Sequence, residues 1–349
     1  MPDAAEEALS QIDPRYSRQI LFPAIGKAGQ CRLAKSVVVL IGCGALGSTI
    51  ADALVRAGVG KLRIADRDFI ELNNLQRQML FDEEDVAQQL PKAVAAARHL
   101  GRINSSVVVE PVVTDVHAGN VLEVIQGADV VLDGTDNFET RYLINDACLR
   151  TGTPWVYGGV VAASGMSMTI RPGESACLRC VFREPPPPGS LPTCDVAGII
   201  SPIVRIIGAV EVSEALKILT GSGRPNPGLL SIEVWELEFD LIELGGPAQD
   251  CPACGKGEYS FLRAESGTLV TTLCGRSGVQ VAPRPPVQLD LGALAQRLQE
   301  VGQVTRNEFL LRLTTEEGQM TVFPDGRAII QGITDPGKAR TLYARYMGG

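Results

Sequence analysis

The chain has 349 residues, a formal net charge of −8, 45% hydrophobic residues and only 5% aromatics, enough for one large domain, or a large and a small one, around an aliphatic core. The acidic balance argues against a nucleic-acid partner. No apolar run reaches the roughly 18 residues of a membrane span, and the polar opening MPDAAEEALSQIDPRY lacks the basic and apolar regions of a signal peptide, so a cytoplasmic protein with no membrane partner is expected.

Residues 1–14 read as a polar lead-in. Val37-Val38-Val39-Leu40-Ile41 is a continuous β-branched run of the kind a buried parallel strand requires. A glycine-rich turn comes next, then a helix over 48–57 and a second strand over 61–65. The pattern continues with a helix over 92–100, a strand over 107–113, a helix over 121–126, a strand over 129–132 and a helix over 141–151. Strands are expected at 155–161 and 167–170. This βαβ alternation predicts an α/β fold, a Rossmann-like sheet with flanking helices.

Four prolines, 185–188, then break the pattern, because proline neither continues a helix nor donates to a sheet. A helix over 201–219 carries Pro202 in its first turn, where proline is tolerated, and 229–241 reads as strand-rich. A second boundary is expected near 263–268. Beyond it come a strand at Val279, a helix over 291–301, three strands between 309 and 331, and a helix over 338–346. The turn Phe323-Pro324-Asp325-Gly326-Arg327 has the Asp-Gly signal of a hairpin. The domains are thus expected at 1–264, and at 265–349 as a small C-terminal α+β module of unknown role. The closing Gly348-Gly349 either ends the last helix or imitates the Gly-Gly end of a carrier.

Gly42-Cys43-Gly44-Ala45-Leu46-Gly47 is a G-x-G-x-x-G between a strand and a helix. Glycines there permit a tight turn and let the backbone approach a phosphate, which the helix N-terminus attracts. Asp66, at the end of the next strand, suits a ribose hydroxyl. That much fits an NAD-dependent oxidoreductase. Three further features do not fit one: Asn73-Asn74-Leu75-Gln76-Arg77-Gln78, Lys92 at a helix start, and Asp136 in Asp133-Gly134-Thr135-Asp136-Asn137. Hydride transfer needs no such cluster. An enzyme attacking a triphosphate does, because Arg, Lys and Mg²⁺ stabilise the charge that grows as pyrophosphate leaves.

Nine cysteines in a cytoplasmic chain are not expected to form a disulfide framework. Cys177-Leu178-Arg179-Cys180 and Cys251-Pro252-Ala253-Cys254 are two C-x-x-C pairs, read either as one closed zinc site of four thiolates or as redox dithiols. Cys194 comes after the proline loop and precedes a helix, so it is either a reactive thiol or a small loop residue. Cys43 is expected to be chosen for size, and Cys31 and Cys148 for burial. Cys274 opens the tail with no assigned role. His99 and His117, the two histidines, have no partners at ligand spacing.

The ordered set Arg15-Tyr16-Ser17-Arg18-Gln19, the glycine loop, Ala65-Asp66-Arg67-Asp68, Asn74-Leu75-Gln76-Arg77-Gln78, Pro91-Lys92 and Thr135-Asp136-Asn137 resembles the ThiF/MoeB/HesA family, related to the adenylation domain of ubiquitin-activating enzymes. The resemblance runs from Arg15 to Cys254. It implies ATP as cosubstrate and adenylylation of the C-terminal glycine carboxylate of a ThiS- or MoaD-like sulfur carrier, for thiamine or molybdopterin biosynthesis. It implies that Asp66 holds the ribose, that Asn74, Arg77 and Lys92 contact the triphosphate, that Asp136 holds Mg²⁺, and that the four cysteines hold Zn²⁺. Arg18 resembles an arginine that reaches a neighbouring subunit's site, which implies a homodimer. Cys194 resembles a loop cysteine able to form an acyl persulfide link, and a sulfur donor such as a cysteine desulfurase is a further implied partner. A non-catalytic carrier-binding scaffold is the remaining alternative, and it leaves Arg77, Lys92 and Asp136 without a purpose.

Overall fold

A computed structural model describes residues 13–88, 90–187, 194–263, 267–272, 278–284, 287–307 and 310–348. Helix α1 (Gly26–Leu33) leads into β1 (Val37–Ile41), α2 (Ala45–Ala57) and β2 (Lys61–Ala65). Helices α3 (Glu83–Ala87) and α4 (Lys92–Ile103) precede β3 (Val108–Val112), α5 (Val121–Val124) precedes β4 (Val130–Asp133), and α6 (Phe138–Thr151) leads to β5 (Trp155–Val161). After β6 (Ser164–Ile170) come two short helices, α7 (Leu178–Val181) and α8 (Cys194–Ala197). The long α9 (Ser201–Thr220), β7 (Gly228–Glu233) and β8 (Glu238–Glu243) complete this part of the chain.

These strands form one sheet in the order β3-β2-β1-β4-β5-β6-β7-β8. The first five are parallel and the rest antiparallel. Alternation along β1 builds both faces. Val38 and Leu40 join Leu62, Ile64 and the apolar sides of α2, α4 and α9, while Val39 and Ile41 join Val131, Tyr142 and Ile144. Chain order reverses at β1, whose neighbours are β2 and β4. Such a switch point leaves a crevice at the strands' C-terminal ends, where ligands bind.

A second, antiparallel sheet is built from β9 (Gly267–Thr272), β10 (Gly278–Arg284), β11 (Gln303–Arg306), β12 (Leu311–Thr315), β13 (Gly318–Val322) and β14 (Ala328–Gln331), in the order β11-β12-β13-β14-β10-β9. Helices α10 (Leu291–Leu298) and α11 (Pro336–Met347) complete its own core, with Leu298, Leu313, Ile330, Tyr343 and Met347 buried. The expected hairpin joins β13 to β14, with Phe323 N–H donating to Arg327 O at 2.8 Å. The boundary expected at residue 264 falls outside the described residues.

Several elements differ from expectation. Strands β9 and β11 appear where none is expected, since GTLVTT is flanked by loop signals and QVTR is polar and mostly exposed. Strand β6 starts earlier than residue 167, since Ser164, Gly165 and Met166 already pair with both β5 and β7; Gly165 also lets α9 close on the sheet, where a Cβ would lie 2.4 Å from Ile207 Cγ1. Cys31 is only half-buried, whereas Cys148 is fully buried. Cys274 and Gly349 lie outside the described residues. Gly348 caps α11, donating to Ala344 O at 2.8 Å, with Met347 buried just before it, so the chain is helical up to its final glycines. Among the described residues no helix is long and apolar enough to cross a membrane.

Candidate active site

A cavity of about 450 Å³ opens at the C-terminal ends of β1, β2 and β4. Gly42, at the end of β1, has φ +87°, and a Cβ on it would sit 2.5 Å from Gly134 O. Only glycine takes that conformation and that approach without strain. Gly47 is pressed on the loop from within, where a Cβ would meet Gly42 O at 2.1 Å. Gly44 is different. A Cβ there would meet nothing closer than Gln78 Nε2 at 3.9 Å, so the loop's outer surface faces open space in the cavity. The loop and the first turn of α2 thus present backbone where a phosphate can lie.

Asp66 is buried beside this loop. Its Oδ2 accepts from Cys43 N–H at 2.6 Å and its Oδ1 from Asp68 N–H at 2.7 Å. Burial pushes its carboxyl up to about 6, against the pull of Lys92. Lys92 opens α4, is buried, and places Nζ 3.2 Å from Asp68 Oδ2. Burial lowers its ammonium, but Asp66, Asp68 and Asp136 outweigh burial and hold it above its usual range. Burial likewise pushes Asp68 up, while Lys92, Arg67 and Arg345 bring it below the ordinary carboxylate range.

Asn74 is buried, accepting from Glu71 N–H at 3.1 Å and donating to Asn73 Oδ1 at 2.8 Å. Arg77 stands on the rim, with Nη1 donating to Asn73 O at 2.8 Å. Asp136 lines the cavity opposite, in the turn between β4 and α6. That turn rests on a buried ion pair. Arg141 Nε lies 3.2 Å from Asp133 Oδ2, and its Nη2 donates to Thr135 O at 2.8 Å. Cys194, the first residue of α8, also lines the cavity, with Sγ 3.1 Å from Val160 O.

The structure therefore brings Gly42, Gly44, Asp66, Asn74, Arg77, Lys92, Asp136 and Cys194 to one cavity. Gly47 supports it from behind. Arg18 is exposed and lies outside it. Sequence reasoning missed three contributors. One is the Asp133–Arg141 pair. Another is Asp115, which takes Arg67 at 2.6 Å and Arg340 at 3.2 Å. The third is α11, whose Arg340, Tyr343 and Arg345 line the cavity from the C-terminal sheet's side. No local pattern marks these residues. His99, which has no partner at ligand spacing in the sequence, meets Asp85 in the fold, with Oδ2 2.7 Å from its Nε2.

At the far side of α6 the four cysteines converge. Cys177, Cys180, Cys251 and Cys254 place every Sγ within 4.8 Å of the others, with contacts of 3.6, 3.8 and 3.3 Å. Zinc with Zn–S near 2.3 Å sets tetrahedral sulfurs about 3.8 Å apart, so the donor set fits that ion. Helix α6 holds the segments beside the cluster: Leu178 N–H, next to Cys177, donates to Asn145 Oδ1 at 3.0 Å, and Phe261 N–H, beyond Cys254, to Asp146 Oδ2 at 3.1 Å.

The ThiF family model matches residues 16–253. The chain is 43% identical over 336 residues to the sulfur carrier protein ThiS adenylyltransferase of Bacillus subtilis (strain 168), covering 96% of this chain and 99% of that one. It is 40% identical over 249 residues to the SAMP-activating enzyme E1 of Haloferax volcanii, covering 71% and 90%. Among solved structures it is similar to E. coli MccB with ATP, with a TM-score of 0.62, 21% identity, and 72% of this chain and 79% of that one covered; this is a likeness of fold.

Proposed function

The chain belongs to the ThiF family, and from that premise we propose that it is a nucleotidyltransferase that uses ATP to adenylylate the C-terminal glycine carboxylate of a ubiquitin-like sulfur-carrier protein. One observation carries this reading. A single cavity combines a glycine loop open to a phosphate, the cations Arg77 and Lys92, and the carboxylates Asp66 and Asp136.

In the proposed reaction a carrier carboxylate oxygen attacks the α-phosphorus in line. The bond from that phosphorus to the bridging oxygen breaks, giving an acyl adenylate and pyrophosphate. The carboxylate is already ionised at neutral pH, so no general base is required. The protein supplies position and charge. Asp66 accepts from the ribose, Asn74 and Arg77 hold the phosphate chain, and Lys92, kept cationic by its carboxylate neighbours, meets the charge that develops on pyrophosphate. Asp136 would hold Mg²⁺, a hard cation suited to carboxylate oxygen, which would supply positive charge against the phosphates. The four cysteines would hold a structural Zn²⁺. Cys194, on the cavity wall, would act after adenylylation in the sulfur step, fed by a donor such as a cysteine desulfurase. Arg18 would serve the site of a second copy in a homodimer.

A protein partner needs a docking surface. Strand β8 is an edge strand with all six residues exposed, and Trp235, Leu237 and Phe239 are exposed beside and along it. Such an edge suits a carrier that adds a strand to the sheet.

ATP–pyrophosphate exchange tests the reading. A ThiS-like carrier is the first to try, given the 43% identical relative, with a MoaD-like carrier beside it. Exchange that requires one carrier is expected and names the pathway, while a folded protein that exchanges with neither removes the assignment. Mixing Arg18→Ala with Asp136→Ala tests the dimer. Partial recovery of activity is expected, because one site of a mixed dimer keeps both residues.

A further inference from the structure

The C-terminal unit, which has its own buried core, is joined to the cavity wall by polar contacts. Thr268 donates through N–H and Oγ1 to the Glu139 carboxylate of α6, at 3.2 and 2.6 Å. Arg340 reaches Asp115, which Arg67 also holds, so that one carboxylate clasps α11 to the loop after β3. Arg345, further along the same helix, lies across the mouth. Its Nη2 is 3.9 Å from Glu71 Oε2, and its Nη1 donates to both oxygens of Glu317 at 2.6 and 2.7 Å.

The partners of Arg345 matter. The Glu71 side chain is 48% exposed and Glu317 is 33% exposed, and ion pairs in such surroundings contribute little. A nucleotide phosphate carries more charge than either carboxylate and accepts a guanidinium in a two-pronged, charge-assisted contact. If the glycine loop takes the phosphate nearest the ribose, the outer phosphates fall to the cavity's cations, and Arg345 lines the same cavity as Lys92 and Asp68.

We propose that α11 is a nucleotide-binding element of this enzyme, with Arg345 exchanging its contacts to Glu71 on the cavity wall and Glu317 on the C-terminal sheet for the β- and γ-phosphates of ATP, so that the C-terminal unit completes the site from within the same chain. The proposal rests on reading the cavity as an ATP site. It gives a role to a unit that the adenylylation chemistry leaves unused.

Calorimetric titration of the full chain with ATP and with AMP separates the outcomes. Arg345→Ala is expected to weaken ATP binding about tenfold and to leave AMP within about twofold, since AMP lacks the outer phosphates. Arg345→Lys recovers part of the loss. Glu317→Gln leaves ATP affinity unchanged or tighter, because it loosens the hold on Arg345 that the ligand must replace. Were Arg345 only an anchor for α11, Glu317→Gln would weaken ATP as Arg345→Ala does, and ATP and AMP would suffer alike. Either of those results, or wild-type ATP affinity in folded Arg345→Ala, overturns the proposal. Wild-type protein that binds no ATP removes the ATP-site reading too, whereas ATP binding that is indifferent to Arg345 removes this inference alone.

Discussion

The nucleotide cavity and the cysteine cluster lie on the same sheet-and-helix frame and are built on opposite principles. The cavity draws groups from the ends of β1, β2 and β4 and leaves them facing open space, with like and unlike charges held close together. The cluster draws four thiols to within 4.8 Å of each other, with the segments that carry and follow them fastened to α6 by buried hydrogen bonds. One arrangement keeps charge beside open space, and the other gathers its thiols on one another, with Cys177 and Cys251 buried and Cys180 and Cys254 half-buried. Helix α6 serves both, since its first turn comes just after Asp136 and its middle carries Asn145 and Asp146.

If that division holds, substitutions at the two places should separate stability from chemistry. Cys177→Ser should have the largest effect on the fold. It is expected to release the proposed zinc and lower Tm by roughly 10 °C, checked by metal analysis and calorimetry. A variant that keeps full zinc and Tm would show that the cluster is not a metal staple. Asp136→Ala should do the reverse. Carrier-dependent exchange is expected to fall about 10²- to 10³-fold with Tm unchanged within about 2 °C. Normal exchange in that variant would place the chemistry elsewhere. Cys194→Ala, a smaller change, is expected to retain exchange within about twofold and to lose sulfur transfer, measured by thiocarboxylate formation on the carrier. Loss of exchange in a folded Cys194→Ala protein would put the thiol into the adenylylation step itself.

The division also explains what can be read from the sequence. The glycine loop, Asp66 and the C-x-x-C pairs are legible because each is a short pattern whose geometry is local, a strand end or a two-residue bite. The parallel strands are legible because burial on both faces leaves continuous apolar runs such as 37–41. Arg141 beneath Asp133, Asp115 between Arg67 and Arg340, and Arg345 against Glu71 are not legible. Their partners are chosen by tertiary packing, and an arginine on a helix surface looks the same whether it meets water or a cavity. Strand β11 escapes for a related reason, since an edge strand needs no apolar pattern to pair.

Asp66 belongs to both principles, and its titration gives the finest test. Both of its oxygens already accept backbone N–H groups, so it shapes the loop, and its place in the cavity makes it the proposed ribose acceptor. Burial raises its carboxyl from 3.8 to about 6. Folding therefore favours the protonated form, and the stability this group contributes is complete below 3.8 and is lost as pH rises through about 6. Ribose binding runs the other way, because an ionised carboxylate accepts hydroxyl hydrogen bonds more strongly than a neutral acid does. Adenosine is the right probe, since it has the ribose and no phosphate to titrate. Its affinity, tracked by calorimetry, is expected to be level above about pH 7 and to fall about fivefold by about pH 5, with a midpoint near 6, for a difference of about 1 kcal/mol. In Asp66→Asn the inflection should vanish and the affinity should be low throughout. A flat wild-type profile would mean that Asp66 serves the loop alone, and the ribose contact would have to come from another group on the cavity wall.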